Sequence, residues 1–439
     1  MEVGDANRVL DGDLDGFIRE YLLSAARDRS YDDLATIEVH PRNGLRRRYG
    51  SAMAVSIAVG VSDELDPVEA FAAAADSAAT GLGAPCDLAI VFAAAPHLGH
   101  AKTILSEVHS RLAPRSLIGC GAGGVLGGGR EMESGPGAAV WALSAPGGEI
   151  CTHHFEVEPA DGGRTLNGLP DPAGLGEALV VLADPYTFSA EALLAVLNER
   201  RPGMPVLGGL SSAAAAGSAV LFREGEVLHG GAVACSLDGV AMVPCVSQGA
   251  TPVGPEMTVT SASANIIEEL ASQPAIVRLR EAIGGLAPEQ QRLVAQGLML
   301  GIVIDENQPE YERGDFLVRP IIGADPDKGT LAVGDRIRVG QTVRMHVRDG
   351  ATADEDLRDA LRAQSLALGE QGAAGALLFM CNGRGSNMFD VPDHDAGALD
   401  DALGAPAAGF FCAGEIGPVG GRNFLHGFTA TMAVLPRAS

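Results

Sequence analysis

Polar residues that could bind a small molecule follow two apolar segments near the C-terminus. Residues 381–385 read Cys-Asn-Gly-Arg-Gly, residues 412–415 read Cys-Ala-Gly-Glu, and His426 lies in a later segment. An arginine guanidinium holds a carboxylate through two parallel hydrogen bonds, and a glutamate accepts hydrogen bonds from an amine. If these segments are neighbouring strands, Arg384 would hold a ligand's carboxylate and Glu415 its amine. Asn382, Cys381, Cys412 and His426 would complete the pocket.

The same residues allow two other interpretations. Arg384 and Glu415 would form a structural ion pair that needs no ligand, and we weigh this equally with the pocket. Alternatively, Cys381 or Cys412 would be a nucleophile with His426 as its base, because a thiol needs a basic or cationic neighbour to lower its pKa. We favour a binding protein over an enzyme.

The elements that must position these residues belong to a repeat. Three times the chain reads an apolar strand, a helix and a second strand that breaks into glycine, over residues 87–135, 177–217 and 375–421. Self-similarity of this kind indicates one supersecondary unit used several times, and loops on a rigid scaffold are where ligands usually bind. We therefore add Gly119 and Cys120, from the first glycine-rich segment, to the candidate ligand-binding residues.

These strands and helices predict an α+β fold, with two domains of mixed sheets flanked by helices and built from repeated strand-helix-strand-strand units. At 439 residues the chain is too long for one ordinary core. We predict a loosely ordered N-terminal extension over residues 1–52, a first domain over residues 53–284 and a second domain over residues 285–439. The boundary follows a glycine pair that ends a predicted helix.

Local signals predict where individual helices begin. Asp66 followed by Pro67 predicts a helix start, because Asp is a preferred N-cap and Pro suits the first helical position. We predict a helix over residues 265–283, interrupted at Pro274. A Ser/Thr-x-x-Glu box beginning at Thr352 predicts the start of a later helix.

Composition excludes several classes of function. The formal net charge of -25 argues against nucleic-acid binding, because phosphate contacts depend on Lys and Arg. Seven dispersed cysteines without a CxxC pair predict reduced thiols and a cytoplasmic location. No apolar run reaches the ~20 residues of a membrane span. The histidine pairs lack neighbouring ligands at metal spacing, so we expect no metal.

One glycine motif resembles a cofactor signature but does not satisfy its structural requirement. Residues 119–124 fit the spacing GxGxxG, yet the chain continues with further glycines where a dinucleotide site needs a helix. We therefore expect these glycines to serve tight strand packing, and we expect no cofactor.

Short motifs occur in order through both halves of the chain. They are SLIGC at 116–120, PVLGG at 205–209, GPEMTVT at 254–260, GIVID at 301–305, RPIIG at 319–323, CNGR at 381–384 and AGEIGP at 413–418. At these residues the sequence resembles the FIST family, whose members combine a FIST N-terminal and a FIST C-terminal domain. The resemblance covers about residues 55–435.

The resemblance implies an intracellular sensor of small ligands in signal transduction, with amino acids as the usual candidates, and it supplies no catalytic residues. We expect a protein that binds an amino acid or a carboxylate metabolite. Without a recognisable fused output domain, it would signal through a separate protein partner. The alternatives are a cysteine-dependent enzyme and a protein-interaction scaffold.

Overall fold

The fold divides into two compact units. The computed structural model describes residues 55–160, 163–171, 174–212 and 219–438. Of these, residues 248–356 form the smaller unit, and residues 55–247 together with 357–438 form the larger one. Both units contain helices and sheets, and the three sheets of the larger unit mix parallel and antiparallel pairs, which confirms the predicted α+β class. The predicted extension over residues 1–52 lies outside the described residues.

The first copy of the repeat contains the expected strand-helix-strand order. Its elements are β1 (Ser56–Ser62), α1 (Pro67–Leu82), β2 (Leu88–Ala94), α2 (Ala101–Leu112), β3 (Ser116–Ala122), β4 (Val125–Gly127), β5 (Arg130–Met132) and β6 (Ala138–Ser144). Helix α1 begins as predicted, because the Asp66 side chain accepts hydrogen bonds from the N–H groups of Val68 and Glu69. Strand β2 pairs in parallel with β3 and antiparallel with β6.

The second copy repeats this pattern. Its elements are β7 (Glu149–Ala160), β8 (Gly163–Asn167), β9 (Ala178–Ala183), α3 (Ala190–Arg200), β10 (Val206–Leu210), β11 (Leu221–Arg223), β12 (Glu226–Leu228) and β13 (Ala232–Asp238). Strand β9 pairs in parallel with β10 and antiparallel with β13.

Strand β14 (Val243–Gln248) leads into the smaller unit, which is built around one sheet. Its elements are β15 (Ala250–Ser263), β16 (Ile266–Leu270), β17 (Gln273–Pro274), α4 (Ala275–Gly284), α5 (Pro288–Gln296), β18 (Leu298–Val303), β19 (Phe316–Asp325), β20 (Thr330–Val333) and β21 (Thr342–Arg348). Because β15 pairs with both β21 and β16, the sheet closes on itself.

Two local predictions fail around this unit. The helix predicted over residues 265–283 is wrong in its first part, because Ile267 and Leu270 are buried in strand β16 and α4 begins only after Pro274. The predicted cap at Thr352 is also wrong. Helix α6 (Gly350–Leu368) has already begun there, and the Thr352 hydroxyl donates to Asp349 instead.

The third copy follows the smaller unit in the chain. Together with the strands that flank it, this region contains β22 (Ala373–Cys381), α7 (His394–Leu403), β23 (Ala407–Cys412), β24 (Glu415–Val419), β25 (Arg422–His426) and β26 (Thr429–Pro436). Strand β22 pairs in parallel with β23 and antiparallel with β26, and β14 is the next strand beyond β26. The compact units therefore separate near residues 247 and 356, whereas the domain boundary after residue 284 stays a prediction.

The three copies exchange hairpins in a cycle. Each parallel pair lies in a separate sheet, and the hairpin that follows it joins the sheet of another copy. The β4–β5 hairpin pairs with β23, the β11–β12 hairpin with β3, and the β24–β25 hairpin with β10. This exchange brings the three glycine-containing strand ends together. Ser211 Oγ donates to the Gly121 carbonyl at 2.6 Å, and the Leu210 N–H donates to the Gly414 carbonyl at 2.8 Å.

In each parallel pair, one glycine of the second strand presses against the carbonyl group of its partner on the first strand. The pairs are Gly119 with Val91, Gly208 with Val181, and Gly409 with Leu378. A β-carbon at these glycines would lie 2.2, 1.8 and 1.6 Å, respectively, from the carbonyl oxygens. Only glycine permits such an approach. These glycines occupy equivalent positions, so the remaining residues of the copies can be matched by counting from them.

We predict that Gly409→Ala destabilises the protein by about 3 kcal/mol, because the added methyl group must push two paired strands apart. The matched control is Gly397→Ala in helix α7, where an added β-carbon meets nothing within 4 Å. That control should stabilise the protein by up to about 1 kcal/mol through helix propensity. Urea unfolding measures both free energies, and equal stability of the two variants would contradict the packing role of Gly409.

Candidate functional site

Comparison of the three copies shows that Glu415 differs in chemical type from the residues at the equivalent positions. We call Gly119, Gly208 and Gly409 the strand-packing glycines. The residue that follows each of them on the same strand is paired with one residue of the exchanged hairpin. In two hairpins this residue is apolar and fully buried, namely Leu221 and Val125. In the third it is Glu415, which is also fully buried. Burying a carboxyl group is unfavourable without compensating contacts, so its presence in an otherwise apolar position indicates a specific role.

Arg384 is a second exception of the same copy. Six residues after the partner of each strand-packing glycine on the first strand, the third copy has Arg384 and the other copies have His97 and Thr187. Arg384 lies just beyond the end of β22 and is completely buried. The third copy therefore carries both a buried cation and a buried acid, and these are two of the residues predicted from the sequence.

Arg384 forms an ion pair with Asp395, a residue that the sequence analysis missed. Its Nε donates to Asp395 Oδ2 and its Nη2 donates to Oδ1 at 3.0 Å, with neither side chain exposed. Burial acts to raise the pKa of Asp395, but Arg384 and His394 outweigh it and lower that pKa to about 2. The guanidinium edge that we expected to hold a ligand's carboxylate is therefore occupied by Asp395.

Aromatic contacts fix this ion pair from one side. His394 donates from Nδ1 to Asp395 Oδ1 at 2.8 Å, and its ring stacks on Phe389 with the ring centres 3.5 Å apart. The Arg384 guanidinium carbon lies 5.3 Å from the centre of the Phe389 ring. These contacts leave little freedom for the guanidinium group.

Two acids from the first copy hold the segment between β22 and α7. Glu131 Oε1 accepts hydrogen bonds from the N–H groups of Asp395 and Ala396, both at 2.8 Å, in the first turn of α7. Burial raises the pKa of Glu131 to about 7. Glu133 accepts hydrogen bonds from the N–H and hydroxyl groups of Ser386. No local motif in the sequence links these acids to a segment so far along the chain.

Glu415 is held through one of its two oxygens. Oε2 accepts hydrogen bonds from the Thr429 N–H at 3.2 Å and the Thr429 hydroxyl at 2.9 Å. Burial raises the pKa of Glu415 to about 8, although Thr429, Arg384 and Cys381 act to lower it. Glu415 is therefore mainly protonated at neutral pH. Because Oε2 already accepts two hydrogen bonds, the proton belongs on Oε1.

Three buried polar atoms of Glu131, Arg384 and Glu415 lack hydrogen-bond partners among the described residues. One is Oε2 of Glu131, and the other two are Nη1 of Arg384 and Oε1 of Glu415. The Arg384 and Glu415 side chains also interact electrostatically, which places them near each other. An unsatisfied buried polar group costs about 1–3 kcal/mol. At neutral pH the atoms on Arg384 and Glu415 are both donors, so the arrangement suits a molecule that brings hydrogen-bond acceptors.

The remaining candidates have different environments. Burial raises the pKa of Cys412 well above its usual value, so Cys412 keeps its proton at neutral pH and is unsuited to start a reaction as a thiolate. His426 Nε2 donates to the Gly417 carbonyl at 3.0 Å. Asn382 is exposed, and its N–H donates to the Cys412 carbonyl.

The two candidates from the first copy lie in β3. Gly119 packs against the β2 backbone, as described above. Cys120 is fully buried and interacts electrostatically with Cys412. In the described part of the chain, no group of three or more His, Cys, Asp or Glu side chains could hold a metal ion.

Comparison with known proteins identifies the class to which this architecture belongs. The FIST N domain matches residues 87–273 and the FIST C domain matches residues 275–418. The chain therefore belongs to the FIST family, whose domains are associated with sensing in signal transduction. Among the described residues, every helix is too short or too polar to cross a membrane.

Relatives of similar length occur in mycobacteria. An uncharacterized protein of Mycobacterium tuberculosis strain H37Rv is 43% identical over 382 residues, which cover 86% of this chain and 99% of the relative. An uncharacterized protein of Mycobacterium bovis is 40% identical over 381 residues, covering 86% of this chain and 98% of the relative.

We predict that Glu415 makes stability depend on pH between about pH 5 and pH 8. The pKa of Glu415 is raised from 4.5 to about 8 in the folded protein. The folded state therefore retains a proton that the unfolded state loses, and the free energy of unfolding falls as the pH rises through this window. The slope from this group is at most about 1.4 kcal/mol per pH unit. Glu415→Gln removes the slope, because an amide does not titrate.

Urea unfolding of the wild type and Glu415→Gln at several pH values measures this contribution. Glu131 contributes equally to both proteins, so its effect cancels in the difference. Parallel stability curves for the two proteins would contradict the raised pKa of Glu415.

Proposed function

We propose that this protein is a small-ligand sensor and that its ligand presents a carboxylate to Nη1 of Arg384 and Oε1 of Glu415. Membership of the FIST family supports sensing. The two unpartnered buried donors support the position of the ligand. They are the observation that carries the proposal, because a carboxylate would accept one hydrogen bond from each.

The protonation state of the cluster favours a carboxylate over an amine as the bound group. The Arg384–Asp395 pair is neutral as a whole, and Glu415 is mainly neutral at pH 7. An amine would have to remove the proton from Glu415, whereas a carboxylate uses that proton as a hydrogen-bond donor. Amino acids and other carboxylate metabolites both meet this requirement. The separate protein partner expected from the sequence would bind differently to the ligand-bound and the ligand-free protein.

Access to the site couples binding to a conformational change. Arg384 and Glu415 have no exposed surface, so the ligand requires movement of the segment between β22 and α7. That segment carries exposed residues, including Asn382 and Ser386, and Glu133 holds it from outside. We propose that its displacement on binding is the change that a signalling partner detects.

The test is a thermal-shift screen with amino acids and carboxylate metabolites on the wild type, Glu415→Leu and Glu415→Gln. A ligand at 100 times its dissociation constant adds roughly 2.7 kcal/mol to the stability. Glu415→Leu places an apolar residue where the other copies have Leu221 and Val125, so it should fold and lose the ligand shift. Glu415→Gln should keep the shift, because its amide group donates in place of the protonated carboxyl.

The pH dependence of the ligand affinity distinguishes a bound carboxylate from a bound amine. Wild-type affinity for a carboxylate should fall above about pH 8, where Glu415 loses its proton, and the affinity of Glu415→Gln should not. No shift in the wild type with any compound, or an undiminished shift in folded Glu415→Leu, would contradict the proposed site. An affinity that rises with pH would identify an amine instead.

A further inference from the structure

We propose that Cys381 and Cys412 form a peroxide-oxidisable dithiol that closes to a disulfide at the end of two parallel strands. Cys381 is the last residue of β22 and Cys412 is the last residue of β23. They are direct partners in the parallel register. Both side chains therefore leave the same face of the sheet.

The register brings the two residues within disulfide range. Neighbouring strands lie about 4.7–4.9 Å apart, and disulfides join residues whose α-carbons are about 4.4–6.8 Å apart. An ionised Cys381 would raise the pKa of Cys412, as expected for close neighbours.

Cys381 is suited to react first. It is partly exposed, whereas Cys412 is completely buried. The Gly383 N–H donates to Cys381 Sγ at 3.4 Å, and the Arg384 guanidinium attracts a Cys381 thiolate. A backbone N–H group and a cationic neighbour both favour the thiolate, which is the reactive form. Glu415 opposes this only when it is ionised, and it is mainly neutral at pH 7.

The chemistry needs hydrogen peroxide as the oxidant. The Cys381 thiolate attacks one peroxide oxygen, the O–O bond breaks, and Cys381 becomes a sulfenic acid while hydroxide leaves. The Cys412 sulfur then attacks the Cys381 sulfur and displaces the sulfenic hydroxyl group, which departs as water with the Cys412 proton. Both sulfurs are oxidised, and one molecule of peroxide is reduced.

Disulfide formation would alter the neighbouring acid. The Cys381 thiol group acts to lower the pKa of the Glu415 carboxyl group. A disulfide has no S–H group to donate. Oxidation would therefore favour the protonated form of Glu415. The thiol chemistry itself is independent of ligand binding.

The internal repeat supplies matched variants. Counting from the strand-packing glycines, Cys412 corresponds to Ala122 and Cys381 corresponds to Ala94. Alanine is buried at both positions of the first copy. Cys412→Ala and Cys381→Ala should therefore fold, which circular dichroism and urea unfolding would check.

The experiment treats the folded protein with hydrogen peroxide, blocks free thiols by alkylation and analyses peptides by mass spectrometry without reduction. We expect a peptide pair linked through Cys381 and Cys412, reversible by dithiothreitol, with two of the seven thiols lost. Neither alanine variant should form it. In Cys412→Ala, Cys381 should accumulate as sulfenic or sulfinic acid.

The exposed Cys151 serves as an internal reference, because it reports the reactivity of an ordinary surface thiol. Cys381 that oxidises no faster than Cys151 would overturn the proposal. So would a wild-type protein in which Cys381 is over-oxidised without the disulfide, or in which Cys120 is joined in place of Cys412.

Discussion

The close contact between paired parallel strands at Gly119, Gly208 and Gly409 is the constraint on which the larger unit depends. At each point the backbone of one strand occupies the space that a side chain would need. The constraint repeats three times, and each following hairpin pairs beside it in another sheet. The strand ends of all three copies consequently meet, and Arg384 and Glu415 are completely buried there.

In the third copy alone, the hairpin residue opposite the position after the strand-packing glycine is a buried acid, Glu415. An apolar residue fills the position of Glu415 in the other copies, so the fold itself does not require an acid there. Arg384 is stabilised by Asp395, since a buried cation without a partner would be strongly unfavourable. Glu131 and Glu133 then fix the segment that carries both residues. Among the described residues, these contacts leave one donor on Arg384 and one oxygen each on Glu415 and Glu131 without a hydrogen-bond partner.

The sequence predicted the features that depend on local pattern. The repeated units, the α+β class and the cap at Asp66 were all predicted, because periodicity, glycines and capping residues lie close together in the chain. The helix predicted over residues 265–283 failed because the segment Ile266–Leu270 is stabilised by pairing with the preceding strand β15 and with the distant strand β20. Asp395 was missed because an acid in a helix carries no local sign that it binds a buried arginine. The hairpin exchange was missed because strand pairing across copies leaves no pattern in one sequence.

In the site that we propose, Nη1 of Arg384 and Oε1 of Glu415 bind a molecule other than the protein. A crystal structure that resolves ordered water, with and without a stabilising carboxylate, tests this most directly. We expect an oxygen atom within about 3 Å of both Nη1 of Arg384 and Oε1 of Glu415. This oxygen should belong to water in the free protein and to the ligand's carboxylate in the complex. A direct hydrogen bond between Arg384 and Glu415 in both crystals would show a structural ion pair and contradict the proposed ligand site.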